Sequence, residues 1–77
     1  MIKEFDRVAL TSDLPEFHLR TGDVGTVVDI TPNGRQYTLE FINFDGDTIA
    51  VVPVEATAVR AIGSREVTHA RVLDEAS

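Results

Sequence analysis

Hydrophobic and polar positions alternate in short segments along this chain, and turn-forming residues separate the segments at intervals of about ten residues. In residues 5–11, alternation places Val8 and Leu10 on one face, which we expect to lie in the core. The opposite face carries Arg7 and Ala9. This two-residue period indicates a first β-strand with one buried side.

Four further segments have the composition of β-strands. Residues 24–30 are rich in β-branched side chains, which favour extended backbone. Residues 37–42 alternate cleanly between apolar and polar side chains. Residues 48–53 form an apolar run that we expect Pro53 to end, because proline cannot donate to a sheet ladder. Residues 57–62 supply the last strand.

Turn residues define the connections between these strands. The pairs Asn33-Gly34 and Asp45-Gly46 adopt positive φ at little cost, so both predict tight hairpins. Residues 12–22 show no sustained period and therefore predict a long loop. The short segment between the fourth and fifth strands is long enough for one 3₁₀ turn.

Five short strands with one long first loop, two tight hairpins and a brief turn before the last strand are the layout of an SH3-like barrel. We therefore predict an all-β fold, a small five-stranded SH3-like barrel, in residues 1–62. Residues 63–77 form a C-terminal tail with weak helical spacing. Two interpretations of the tail stay open: a frayed or disordered segment, or a short helix docked on the barrel or on a partner.

Two glycines flank the start of the second predicted strand. Gly22 ends the long loop at a position that we expect to need positive φ. Gly25 lies one residue inside the strand and predicts a bulge or a close backbone approach. No lysine and no predicted helix follows either glycine, so neither resembles a phosphate-binding loop.

The net charge of the chain indicates which class of macromolecule it is suited to bind. Thirteen acidic and seven basic residues give a formal net charge of −6. Lys3 is the single lysine, and the six arginines are scattered. Because nucleic-acid binding relies on cationic side chains that neutralise phosphates, this balance disfavours a polyanion and favours a basic protein. No apolar run approaches the roughly 18 residues of a membrane span, so a cytoplasmic location without membrane association is expected.

The sequence offers little for catalysis. It contains no cysteine, no helical zinc motif, no phosphate-binding loop and no serine nucleophile elbow. The two histidines, His18 and His69, fall in the long loop and the tail, where we expect both to be solvated. Asn43, Asp45 and Asp47 superficially resemble a calcium loop, but the glycine is misplaced and the required glutamate is missing. We predict no enzyme activity, no cofactor and no metal site.

The long first loop is the segment whose composition is typical of a recognition site. Phe17 lies among charged residues, and aromatic and arginine side chains dominate the hot spots of protein interfaces. The predicted partner-binding residues are Asp13, Glu16, Phe17, His18 and Arg20. The alternative is that Leu14, Phe17 or Leu19 folds back to cover the open end of the barrel.

A series of spaced positions runs from the first strand to the fourth: Asp6, Val8, Leu10, Leu14, Pro15, Leu19, Gly22, Gly25, Thr26, Val27, Val28, Tyr37, Leu39, Glu40, Phe41, Gly46, Thr48 and Ala50. In this order they resemble a family of small bacterial and archaeal proteins described only as a domain of unknown function. The resemblance covers residues 5–62 and leaves the tail outside. It implies an SH3-like barrel and no established activity.

Residues 22–30 are also loosely similar to the KOW motif of ribosomal proteins and transcription elongation factors, which also lies on SH3-like barrels. Those modules usually carry basic residues around the glycine. Here Asp23 and Asp29 stand in this segment, and they disfavour nucleic-acid binding.

Three functions follow from these observations. The first is a non-enzymatic protein-interaction module, and the neutralising partner of a toxin or other effector is one concrete form of it. The second is a KOW-like nucleic-acid-binding module. The third is an accessory barrel subunit of a larger enzyme. The sequence alone leaves the partner and the oligomeric state undetermined.

Overall fold

The computed structural model describes residues 1–67 and 69–72. The five strands are β1 (Arg7–Leu10), β2 (Val24–Ile30), β3 (Gln36–Ile42), β4 (Thr48–Glu55) and β5 (Val59–Ala61). They form one antiparallel sheet in the order β4-β3-β2-β1-β5. Two 3₁₀ turns, Pro15–Phe17 and Ala56–Ala58, interrupt the connections. The predicted all-β fold is confirmed.

Alternation along the strands buries one face of the sheet, as the sequence predicts. Val8, Val27 and Leu39 are completely inaccessible to solvent. The other buried members of the core are Leu10, Leu19, Phe41, Val52, Val54 and Val59. Ala9 lies on the opposite face of β1 and is also buried, and it lines a small groove together with Ile62 and His69.

Both predicted hairpins form around glycines with positive φ, at Gly34 and Gly46. In the second hairpin, the side-chain oxygen of Asn43 accepts hydrogen bonds from the backbone N–H groups of Asp45 and Asp47, at 3.0 and 2.9 Å. The amide side chain therefore shapes the turn, which gives Asn43 a structural role in this segment.

Pro53 does not end its strand, contrary to the expectation from the sequence. β4 continues to Glu55, and Pro53 pairs with Thr38 of β3. In the described part of the chain, β4 is the outermost strand of the sheet and pairs with β3 alone. At such an edge a proline can direct its missing donor away from the neighbouring strand, so no ladder hydrogen bond is lost.

The two glycines around the start of β2 have different roles. Gly22 has a φ of +93°, as predicted for the end of the loop. Gly25 lies under the aromatic ring of Phe41, and a Cβ atom at position 25 would stand 3.0 Å from two ring carbons. The predicted close approach therefore exists, but it involves a side chain instead of a crossing backbone. The bulge in β2 falls later, between Val27 and Asp29.

The last strand closes on the first, with Val59 opposite Leu10. Among the described residues, the strand pairings are β1–β2, β1–β5, β2–β3 and β3–β4. Closure of this sheet into an SH3-like barrel stays a prediction. Within the same part of the chain, no helix is long and apolar enough to cross a membrane.

The described part of the tail, residues 63–67 and 69–72, contains a turn at residues 64–65 and no helix. The Glu66 carboxylate accepts a hydrogen bond from the Gly63 N–H at 2.6 Å and pairs with Arg60 of β5 at 2.6 Å. These contacts hold the turn against the last strand. A helix over Thr68 or residues 73–77 lies outside the described residues.

Candidate protein-interaction surfaces

The long first loop is folded onto the core by its leucines. Leu14 and Leu19 form an isolated antiparallel bridge, with the Leu14 N–H donating to the Leu19 carbonyl at 2.8 Å. Leu19 is buried, and Leu14 packs against the core cluster. Phe17 remains 38% exposed and lies outside that cluster. The loop therefore covers the core with two leucines and presents its aromatic side chain at the surface.

The five residues predicted to bind a partner are all exposed in this loop. Asp13 has an internal role as well, since its carboxylate accepts hydrogen bonds from the Thr21 N–H at 2.9 Å and the Thr21 hydroxyl at 3.0 Å. These bonds hold the pKa of Asp13 below its usual value. His18 ends the 3₁₀ turn in the left-handed conformation, with a φ of 61°. Partner binding by the loop stays a prediction.

Asp23 is the one buried charged residue in the described part of the chain, with 8% of its surface exposed. It follows Gly22 at the end of the loop, and its carbonyl accepts the Leu10 N–H at 2.9 Å, which ties it to β1. Its carboxylate accepts the Arg20 N–H at 2.8 Å. A charge held this far from water needs compensating partners.

Those partners come from the tail. The Arg71 Nε donates to Asp23 Oδ1 at 2.9 Å, and the Arg71 Nη2 donates to Asp23 Oδ2 in a two-pronged ion pair. The same Nη2 also donates to the His18 carbonyl at 2.9 Å. The His69 Nε2 lies 3.3 Å from Asp23 Oδ1. His69 is therefore in contact with the buried carboxylate, while about half of its side chain (51%) stays exposed to solvent, as expected from the sequence.

Two opposing effects set the pKa of Asp23. Burial raises it, but the hydrogen bonds from Arg71, the Arg20 N–H and His69 outweigh burial, so the pKa lies below its usual value. The pKa of Arg71 is raised, chiefly by its hydrogen bonds to Asp23. The lowered pKa of Asp23 and the raised pKa of Arg71 both favour the charged forms of the pair that joins the tail to the loop.

Sequence reasoning missed this pair because nothing in the spacing marks it. Asp23 and Arg71 are 48 residues apart, and an aspartate at the start of a strand has no sequence signature of burial. The nearest signal was Gly22, because a Cβ atom at this position would lie only 3.2 Å from the His69 ring.

A second surface, also missed, lies on the β3–β4 hairpin. Phe44 at its tip is 91% exposed. Three more large apolar side chains are exposed on the strands of the same hairpin: Ile42, Ile49 and Val51. We call these four residues the hairpin surface. Its position follows from the register, because Ile42 pairs with Thr48 and leaves Ile49 as the extra residue of a bulge.

The charged residues of the same hairpin are all acidic. Residues 36–59 contain four acidic residues, Glu40, Asp45, Asp47 and Glu55, and neither lysine nor arginine. This segment alone contributes −4 of the net charge of −6. Large apolar side chains on an acidic element suit a partner that is both apolar and basic.

Comparison with known proteins places this chain in a family. A family model described as a domain of unknown function, DUF4926, matches residues 4–61. No match was found among the curated proteins, and none among the solved structures. The matched residues include the long loop, Asp23 and the whole hairpin, whereas Arg71 lies beyond them.

Proposed function

We propose that this chain, which belongs to the DUF4926 family of domains of unknown function, is a cytoplasmic, non-enzymatic protein-interaction module that binds a basic protein. The single observation that carries the proposal is the hairpin surface, where exposed apolar side chains stand on an element whose charged residues are all acidic. The neutralising partner of a basic toxin or effector is one concrete form of this function.

The apolar and the acidic residues of the hairpin have different expected contributions to binding. Apolar and aromatic anchors that become fully desolvated supply most of the affinity of a protein interface. Phe44 is the side chain best placed for that role, since it is the most exposed of the four. Asp45 and Asp47 follow it in the turn and contribute mainly to the rate of encounter with a basic partner.

The experiment is capture of partners from cell extract by the tagged full chain, with matched variants. Phe44→Ser removes the anchor of the hairpin surface. Phe17→Ser removes the exposed aromatic of the loop and serves as the matched control. We expect one stoichiometric protein that is retained by Phe17→Ser and lost with Phe44→Ser. We also expect its association rate to fall about tenfold between about 50 and 500 mM salt.

Other outcomes assign the function elsewhere. Loss of the protein with Phe17→Ser alone moves the binding site to the sequence-predicted loop. Retention of RNA at low salt, with its loss at high salt, supports the KOW-like alternative instead. If no protein depends on either aromatic, the proposed interaction function is wrong.

A further inference from the structure

We propose that Asp23 and the His18 carbonyl form a guanidinium-binding site for an arginine side chain of a partner protein, and that Arg71 of the tail occupies this site as an intramolecular competitor. The proposal deepens the proposed interaction function, because it adds a second binding site and names the chemistry that this site recognises. It rests on three features of the structure: the geometry of the acceptors, the weak hold of the remaining tail, and the position of each half relative to the family domain.

The acceptors surround one guanidinium in a fixed arrangement. Both carboxylate oxygens of Asp23 and the carbonyl oxygen of His18 accept hydrogen bonds from Arg71. The acceptors are held by the domain itself, since the Arg20 N–H donates to the Asp23 carboxylate at 2.8 Å and the Leu10 N–H donates to the Asp23 carbonyl at 2.9 Å. A planar fork of donors fits such a set, whereas an ammonium group offers no matching fork.

The tail is attached by few groups. Val67 and Val72, on either side of the contact, are 93% and 92% exposed and bury almost no apolar area. Attachment at this point therefore depends on Arg71, with His69 beside it. The ion pair itself is largely shielded, with 25% of the Arg71 side chain and 10% of the Asp23 side chain exposed. The buried carboxylate is costly to leave unpaired, so a competing guanidinium must take the place of Arg71 as it leaves.

The acceptors and the arginine of this contact differ in their position relative to the residues that match the family model. His18 and Asp23 lie within the matched residues 4–61, and Arg71 lies outside them. The acceptor site is thus part of the domain, and its occupant comes from an extension of the chain. Because the tail is tethered, Arg71 acts at a high effective concentration, so only a partner with additional contacts displaces it. Two of the loop residues that the sequence predicts to bind a partner take part in the site through their backbone, the His18 carbonyl and the Arg20 N–H.

The test uses the full chain and a peptide probe. The probe is the acetylated amide of Thr-His-Ala-Arg-Val, the sequence of residues 68–72, and the matched probe carries neutral citrulline in place of arginine. Binding is followed by the amide chemical shifts of Gly22 and Asp23. Arg71→Gln should bind the arginine peptide at least tenfold more tightly than the wild type, because its site is empty. The double variant Asp23→Asn, Arg71→Gln should show no saturable shift.

Two results would overturn the guanidinium site: equal binding of the arginine and citrulline peptides by Arg71→Gln, or equal binding of the arginine peptide by wild type and Arg71→Gln. Should Arg71→Gln fail to fold, Arg71→Lys replaces it. Lysine keeps the positive charge but lacks the forked donors of a guanidinium, so we again expect tighter binding of the arginine peptide than by the wild type. The probe contains no hairpin partner. A negative result here therefore leaves the hairpin experiment intact, and failure of that experiment leaves this one intact.

Discussion

Phe41 lies across Gly25, so closely that a Cβ atom at position 25 would stand 3.0 Å from its ring. Gly25→Ala should therefore destabilise the fold by about 1–3 kcal/mol, because an inserted methyl group forces the buried ring out of its place. Urea denaturation measures the loss. The double variant Gly25→Ala, Phe41→Leu should lose less than the sum of the two single variants. Strict additivity would show that the ring and the glycine are independent.

Phe17 and Leu19 form a matched pair two residues apart, one exposed and one buried. Leu19→Ala should cost about 2–5 kcal/mol, because it leaves a cavity in the core. Phe17→Ala should change the free energy of unfolding by no more than about 1 kcal/mol, since its ring lies outside the core cluster. Thermal or urea unfolding of both variants decides the matter. A loss for Phe17→Ala as large as that for Leu19→Ala would make Phe17 a core lid.

The Asp23–Arg71 pair should show energetic coupling. Asp23→Asn and Arg71→Gln, with their double variant, form a thermodynamic cycle in which we expect a coupling energy of about 1 kcal/mol. The value is modest because a quarter of the Arg71 side chain is exposed, so water and salt screen the pair. Repeating the cycle in about 1 M salt should reduce the coupling. Zero coupling at low salt would contradict the contact.

Attachment of the tail should depend on pH in the acid range. The pKa of Asp23 is below its usual value of 3.8 in the folded chain, so the pair contributes stability above that value. This contribution is lost as the pH falls through the lowered pKa, because protonation neutralises the carboxylate that holds Arg71. Amide relaxation of residues 69–72 should therefore stay unchanged from pH 7 to about 4 and report release below that.

Two variants test the assignment of this transition. His69→Gln removes the ring contact with Asp23, and the transition should remain, because Arg71 still holds the carboxylate. Asp13 also lies within electrostatic range of Arg71, and Asp13→Asn should likewise leave the transition in place. Arg71→Gln should abolish it. A transition that survives in Arg71→Gln would assign the titration to another group.

Local patterns in the sequence were enough to determine the all-β class and most element positions. β2 spans the predicted residues 24–30, since β-branched composition and alternation act through neighbouring residues. The turns at Gly34 and Gly46 also form as predicted, because positive φ is a property of a single residue. Predicting the loop as a loop likewise needed nothing beyond its own residues.

Only the tertiary structure decided which residues meet across the sheet and across the chain. It showed that β4 continues through Pro53. A strand tolerates proline at the edge of a sheet, and the order of the strands decides which strand lies there. It placed Phe41 over Gly25 through the register of β2 with β3. It brought Arg71 to Asp23 over 48 residues. Such contacts depend on the packing of segments that are distant in sequence. Local hydrophobic periodicity therefore does not predict them.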